Sequence, residues 1–201
     1  MTAFTALGAA AIGATLGLFF AANTKLKSAN EDNTRAALIS AASFDLRTHV
    51  VDLDNAFQAV VESNSKRFLT RWRAAERAWR GPAFQLQQVA AQDASEEQRA
   101  QVLRATIESY ITDYAEPVIA IAQISPSAAR SSAANAEGSL RIESILRNTD
   151  TLARLAASNA AARSAAANSL AHRATVAGLV ALVITPLLLI ALGIWLARSV
   201  V

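Results

Sequence analysis

Few residues in this chain have the types and spacing that chemistry needs. His49 has Asp45 four residues before it and Asp52 three after, so a helix would place all three on one face. One imidazole and two carboxylates can hold a metal weakly. No second histidine lies nearby to complete a typical site, and local pairing of a histidine with acids explains the pattern, so no metal is expected. Lys66, Arg73, Arg77 and Arg80 follow at steps of 7, 4 and 3, which also makes one helical face. Arginine forks on such a face suit carboxylate or phosphate ligands, and Arg73, Arg77 and Arg80 are the candidate ligand-binding residues. The plainer reading is a solvated face, paired with Asp45, Asp52, Asp54 and Glu62 of the preceding helix. Glu96-Glu97 sits at a helix start, where acids favour the dipole. His172 has no acid or histidine three or four residues away.

No glycine-rich phosphate loop, serine elbow or cysteine nucleophile occurs, so no catalytic residue, enzyme activity or cofactor is expected. The 201 residues contain no cysteine, which excludes disulfides and thiolate metal sites. The net charge of +3 is not the strongly basic footprint of a nucleic-acid binder.

The elements that must position these residues are helices. Four prolines and seven glycines in the whole chain leave room for long helices, and few aromatics argue against strands. Residues 1–24 carry no charge, and a helix of that length spans about 36 Å, enough for the hydrocarbon core of a bilayer. Gly13 and Gly17 give it a small-residue spacing. Residues 174–197 form a second such run between Arg173 and Arg198, with Trp195 suited to the headgroup belt and Pro186 expected to bend it mid-span.

Between the runs, residues 25–173 show helical spacing. Leu46, Val50, Leu53, Phe57 and Val60 make one stripe, and Ser63-Asn64-Ser65 interrupts it. Phe68, Trp72, Ala75, Trp79, Ala83 and Leu86 make a second, with a kink or short break predicted at Gly81-Pro82. Ser95 with Gln98 reads as a capping box. Leu103, Ile107, Tyr110, Tyr114, Pro117, Ile121 and Ile124 make a coiled-coil-style seam. A fourth helix begins near Ser127, carries Ile142, Ile145, Thr149, Leu152 and Ala156, and continues through an alanine-rich stretch into the second run. The spacing predicts an all-α protein: an antiparallel four-helix bundle (25–173) flanked by two transmembrane helices (1–24 and 174–197), with 198–201 beyond. The alanine-rich part buries little area alone and is expected to pack against a second copy in a homodimer.

Three segments carry a resemblance. Phe68-Leu69-Thr70-Arg71-Trp72, Tyr114-Ala115-Glu116-Pro117 and Glu137-Gly138-Ser139-Leu140-Arg141 resemble segments of the class-three CHASE-type sensory domains of bacterial receptors, over roughly residues 33–173. Those domains usually carry an arginine–glycine–tyrosine run late in their first helix, where this chain reads Gln58-Ala59-Val60. Leu196-Ala197-Arg198-Ser199 resembles the opening of a HAMP linker. The resemblance implies the extracytoplasmic input half of a multi-pass inner-membrane receptor, foremost a sensor histidine kinase. The alternatives are a chemoreceptor, phosphatase or cyclase input domain, or a membrane-anchored helical interaction module. With the resemblance goes an unknown external ligand or partner protein; the apolar runs imply contact with lipid, the charge no nucleic acid, and the architecture signal transmission for which Tyr114, Pro117, Pro186 and Arg198 are the candidates.

Overall fold

The computed structural model describes residues 2–63 and 65–199, the backbone alone at 2–12, 14–15, 132–135, 181, 185, 188–189, 192–193, 195–197 and 199. The described residues are all-α, with no strand. They form α1 (Thr2–Ser63), α2 (Lys66–Ala78), α3 (Arg80–Ala90), α4 (Ala94–Ser109), a π-helical turn (Tyr110–Ala115), α5 (Glu116–Ile124), the single turn α6 (Pro126–Ala129) and α7 (Ser132–Ser199). Contacts divide the chain into two units: Thr34–Asn159, and Met1–Asn33 with Ala160–Val201.

The breaks in the first unit have local causes. Ser65 caps α2, its side chain accepting from the Arg67 N–H at 3.3 Å. The chain then turns once, at Trp79, between α2 and α3, two residues before the predicted kink. Pro82 falls in the first turn of α3, where a missing N–H breaks no helical bond. The capping box expected at Ser95 is corrected: Asp93, two residues earlier, is the cap of α4, its Oδ1 accepting from the N–H groups of Ser95 and Glu96 at 3.0 and 3.3 Å. A carboxylate that meets two orphan donors satisfies more of the helix end than a serine can. The fourth helix starts later than expected, at Ser132, because Pro126 opens the separate turn α6.

The buried side chains of this unit come from α1, from α2 and α3 (the α2–α3 leg), from α4 with the π turn and α5 that follow it (the α4 leg), and from α7. Ile39, Leu46, Val50, Leu53, Phe57 and Val60 of α1 are buried, as are Trp72, Trp79 and Leu86 in the α2–α3 leg. Leu103, Ile107, Tyr110 and Tyr114 join them from the α4 leg, and Ile142, Ile145, Thr149, Leu152 and Ala156 from α7. Each large apolar side chain buried this way contributes about 1.5–3 kcal/mol, so packing, not surface charge, holds the unit.

The seam expected along 103–124 holds only to Tyr114. Beyond it Ile121 and Ile124 are 46% and 88% exposed, and Val118, Ile119 and Ala122 are buried in their place. The π turn explains the change. Glu116 donates its N–H to the Ile111 carbonyl, five residues back, which inserts one extra residue and delays the buried face by one position. Pro117, which follows, has no N–H to restore the α pattern.

In the second unit the buried residues among those whose side chains are described are alanines: Ala22 and Ala29 of α1, Ala160, Ala167 and Ala174 of α7. Arg163 adds an ion pair to Asp32 at 3.0 Å. Among the described residues, one stretch of α7, Ala136–Ile184, is long and apolar enough to cross a membrane by length and composition. It overlaps the expected second span at 174–184. The helix α7 continues through Pro186 without a break. Most side chains of the expected first span, the Trp195 side chain, and Val200 and Val201 of the linker segment lie outside the described residues.

Candidate functional site

The π turn brings the chemistry of the first unit together. Phe57 of α1 sits at the centre, its ring 6.0 Å from Trp72, 6.2 Å from Tyr110 and 5.6 Å from Tyr114. Tyr110 and Tyr114 lie 5.8 Å apart. Such pairs add about 0.5–1.5 kcal/mol each beyond burial, so α1, α2 and the α4 leg are locked here.

Two polar groups enter this cluster. The Tyr110 hydroxyl donates to Asp54 Oδ1 at 3.3 Å. Burial raises the Asp54 carboxyl above its ordinary value, against opposing hydrogen bonds from Gln58 and Tyr110. Burial, reinforced by the facing Asp54 charge, drives the Tyr110 phenol upward as well, so it stays a donor. Tyr114 is the link to α7. The Arg141 guanidinium lies 5.6 Å above its ring, and burial raises its phenol while a backbone hydrogen bond at Gly138 opposes the rise. Gly138 makes room for this ring: a Cβ there would stand 2.7 and 2.8 Å from Tyr114 Cε1 and Cζ, closer than atoms can approach without moving.

The arginine face meets this region from outside. Arg73 bonds both Glu76 and Glu116 at 3.0 Å, which raises its own pKa, and Arg80 approaches Glu76 at 3.9 Å. Arg77 donates to the Arg73 carbonyl. Glu116 belongs to the Tyr114–Pro117 segment that stands out in the sequence, so the two motifs meet, and Arg73 is already engaged by two carboxylates. Arg73 and Glu116 are 54% and 42% exposed. A pair so solvated is worth about 0–1 kcal/mol, small beside the aromatic cluster. Pro117 is exposed beside it, while Pro186 and Arg198, both exposed, lie in the second unit.

Two of the α1 acids, Asp54 and Asp45, pair with groups other than the arginine face. Asp54 takes Tyr110, and Arg47 pairs with Asp150 of α7 at 2.6 Å. His49 faces the Asp45 carbonyl at 3.0 Å and its carboxylate at 3.6 Å. Among the described residues no three histidines or acids converge on a metal-sized space. Glu96, read as a dipole-favouring acid at a helix start, is buried there, with Oε2 3.6 Å from Arg35 Nε and side-chain exposures of 4% and 14%. Spacing could not reveal that pair or Tyr110–Asp54, since the partners lie 61 and 56 residues apart. The one available signal was a carboxylate, Asp54, between the core residues Leu53 and Phe57.

These features define an all-helical protein with a buried aromatic–carboxylate node beside a π turn. The chain matches no known family, no curated protein and no solved structure.

Proposed function

We propose that the chain is the extracytoplasmic input module of a bacterial transmembrane signalling receptor, foremost of the sensor histidine kinase kind. In this reading residues 34–159 are an antiparallel four-helix sensory bundle, and α1 and α7 carry two spans of the inner membrane. A homodimer forms through the alanine-rich part of α7. The observation that carries the reading is the double character of α7. It gives Ile142, Ile145 and Leu152 to a packed core, then presents Leu179, Leu182, Leu187 and Ile190 at 60–73% exposure. Leu16, Phe19 and Phe20 of α1 are exposed to the same degree, 64–75%. Apolar surface of that extent calls for a non-aqueous neighbour. The resemblance of the Tyr114–Pro117 segment to CHASE-type domains, and of 196–199 to a HAMP opening, points the same way.

The mechanism follows from the node. A stimulus biases one of two packings of the bundle by about 1–3 kcal/mol. The α4 leg moves at its π turn, the Tyr114 ring presses on Gly138, and α7 shifts by about 1–2 Å. Pro186 localises flexing within the second span, and Arg198 holds the far end at the membrane surface.

The chain has no cysteine, so single cysteines report topology cleanly. Thr70→Cys and Ser127→Cys, both at exposed positions, are expected to react with a membrane-impermeant maleimide in intact spheroplasts. Full protection of both, or recovery of the chain in the soluble fraction, would rule the reading out.

A further inference from the structure

A groove of about 320 Å³ lies between α4 and α7 in the 34–159 unit. Leu103 and Leu152, both almost fully buried, belong to its floor. Its rim carries Arg99, Gln98, Asn148 and Thr151. The volume is at the small end of the range for small-molecule sites, and an apolar floor with a few polar groups is their usual chemistry.

The charges around it are unbalanced. Most neighbouring carboxylates are already paired with arginines, Glu96 with Arg35, Asp150 with Arg47, Glu108 with Arg104 and Glu143 with Arg147, while Glu97 accepts from the Gln101 amide at 3.0 Å. Among the described residues Arg99 has no carboxylate partner, and Arg154 reaches only the Thr151 hydroxyl, at 3.3 Å. A guanidinium fork beside two amides, over an apolar floor, is matched by a planar anion with an apolar body. A phosphate dianion would satisfy the charge and leave the floor bare.

We propose that this groove binds a small monocarboxylate, with the carboxylate on Arg99, hydrogen bonds from Gln98 and Asn148, and a short apolar body on Leu103 and Leu152. This deepens the sensor reading and rests on it, giving the input module a class of stimulus. The site is separate from the Arg73–Arg80 face. It lies on the same two helical legs, those of α4 and α7, that meet at Tyr114 and Gly138, so an occupant touches both partners of the proposed coupling.

The test is ligand-observed NMR titration of the full chain in lipid nanodiscs, with benzoate and hexanoate as probes, benzamide and hexanamide as neutral matches, and inorganic phosphate. The two carboxylates are expected to bind saturably and the amides not. Arg99→Gln is expected to weaken carboxylate binding by roughly 10- to 100-fold, the range for losing a charge-assisted hydrogen bond. Val102→Trp, at another lining residue that is 56% exposed, fills the groove with the arginine intact and is expected to abolish binding. Arg67→Gln, at an exposed arginine of α2 outside the groove, is expected to leave it unchanged. No saturable binding by either carboxylate, equal binding by Arg99→Gln or Val102→Trp, or tighter binding of phosphate would overturn the assignment. Carboxylate binding that follows this pattern, found together with full maleimide protection of the Thr70→Cys and Ser127→Cys variants in spheroplasts, would keep the site and sink only the sensor reading.

Discussion

Replacing Gly138 with alanine tests the contact between the α4 leg and α7. The new methyl would stand 2.7 and 2.8 Å from Tyr114 ring carbons. The ring can give way only by disturbing its neighbours, because Phe57 and Tyr110 pack it at 5.6 and 5.8 Å and Arg141 covers it at 5.6 Å. Overpacking of this kind costs about 1–3 kcal/mol. Alanine returns about 1 kcal/mol of helix propensity, so the net loss is about 0–2 kcal/mol. In a chain of this length that lowers Tm by up to roughly 8 °C. Gly81 is the internal control. It is also helical but has nothing within 4 Å of an added Cβ, so Gly81→Ala is expected to stabilise by about 0.4–1 kcal/mol. Thermal unfolding of the detergent-solubilised chain, followed by tryptophan fluorescence with Trp72 and Trp79 both buried, reads the two variants side by side. Adding Tyr114→Leu should turn the Gly138→Ala loss into a gain. Equal stabilisation by Gly81→Ala and Gly138→Ala would refute the close approach and the coupling built on it.

Other expected outcomes concern charge. Glu96→Gln removes a buried carboxylate that faces Arg35 at 3.6 Å, and denaturant melts should show a loss of stability, with Arg35→Met/Glu96→Leu recovering most of it. Arg73→Gln should cost no more than about 1 kcal/mol, and a double-mutant cycle with Glu116→Gln should return a coupling no larger. Asp54 has a folded-state pKa raised by burial. Its contribution to stability is therefore full below its unfolded pKa of about 3.9 and is lost as pH rises through the raised value. Asp54→Asn should accordingly stabilise the chain at neutral pH and remove that mildly acidic gain, as read from Tm against pH. Asp113 runs the other way. Hydrogen bonds from Ser109 and Thr112 lower its pKa, so its contribution holds above the unfolded value and is lost as pH falls through the lowered one, and Asp113→Asn should flatten that acid limb.

Where a helix face repeats without interruption, the sequence is enough to find the core. Leu46 to Val60 and Ile142 to Ala156 show this: a 3.6-residue period needs only an apolar side chain at each return. The same reasoning fails after Tyr114, because hydrophobicity at Ile121 and Ile124 says nothing of an extra residue inserted upstream. Pro117 is the only local hint, and a proline is equally consistent with a bend. The site is harder to see. The Tyr114–Pro117 segment stands out by motif and Arg73 by charge, yet their junction at Glu116 depends on how α2 lies against the α4 leg. The Gly138 contact and the Arg35–Glu96 pair likewise join distant parts of the chain, where no periodicity operates.

The widened turn at 110–115 also has a dynamic consequence. A surplus residue in a helix is not fixed by covalent structure; it can migrate when neighbouring amides exchange acceptors, in the manner of a dislocation moving through a crystal. Here the ring of Pro117 stands against that migration: it has no amide to hand on, and a regular α turn around it would clash with the carbonyl four residues back. The proline thus acts as a detent, keeping α5 one notch out of step with α4. Pro117→Ala should free the notch, measurable as faster amide exchange across 110–118, and let residues 117 and 121 rotate toward the places that Val118 and Ala122 now occupy.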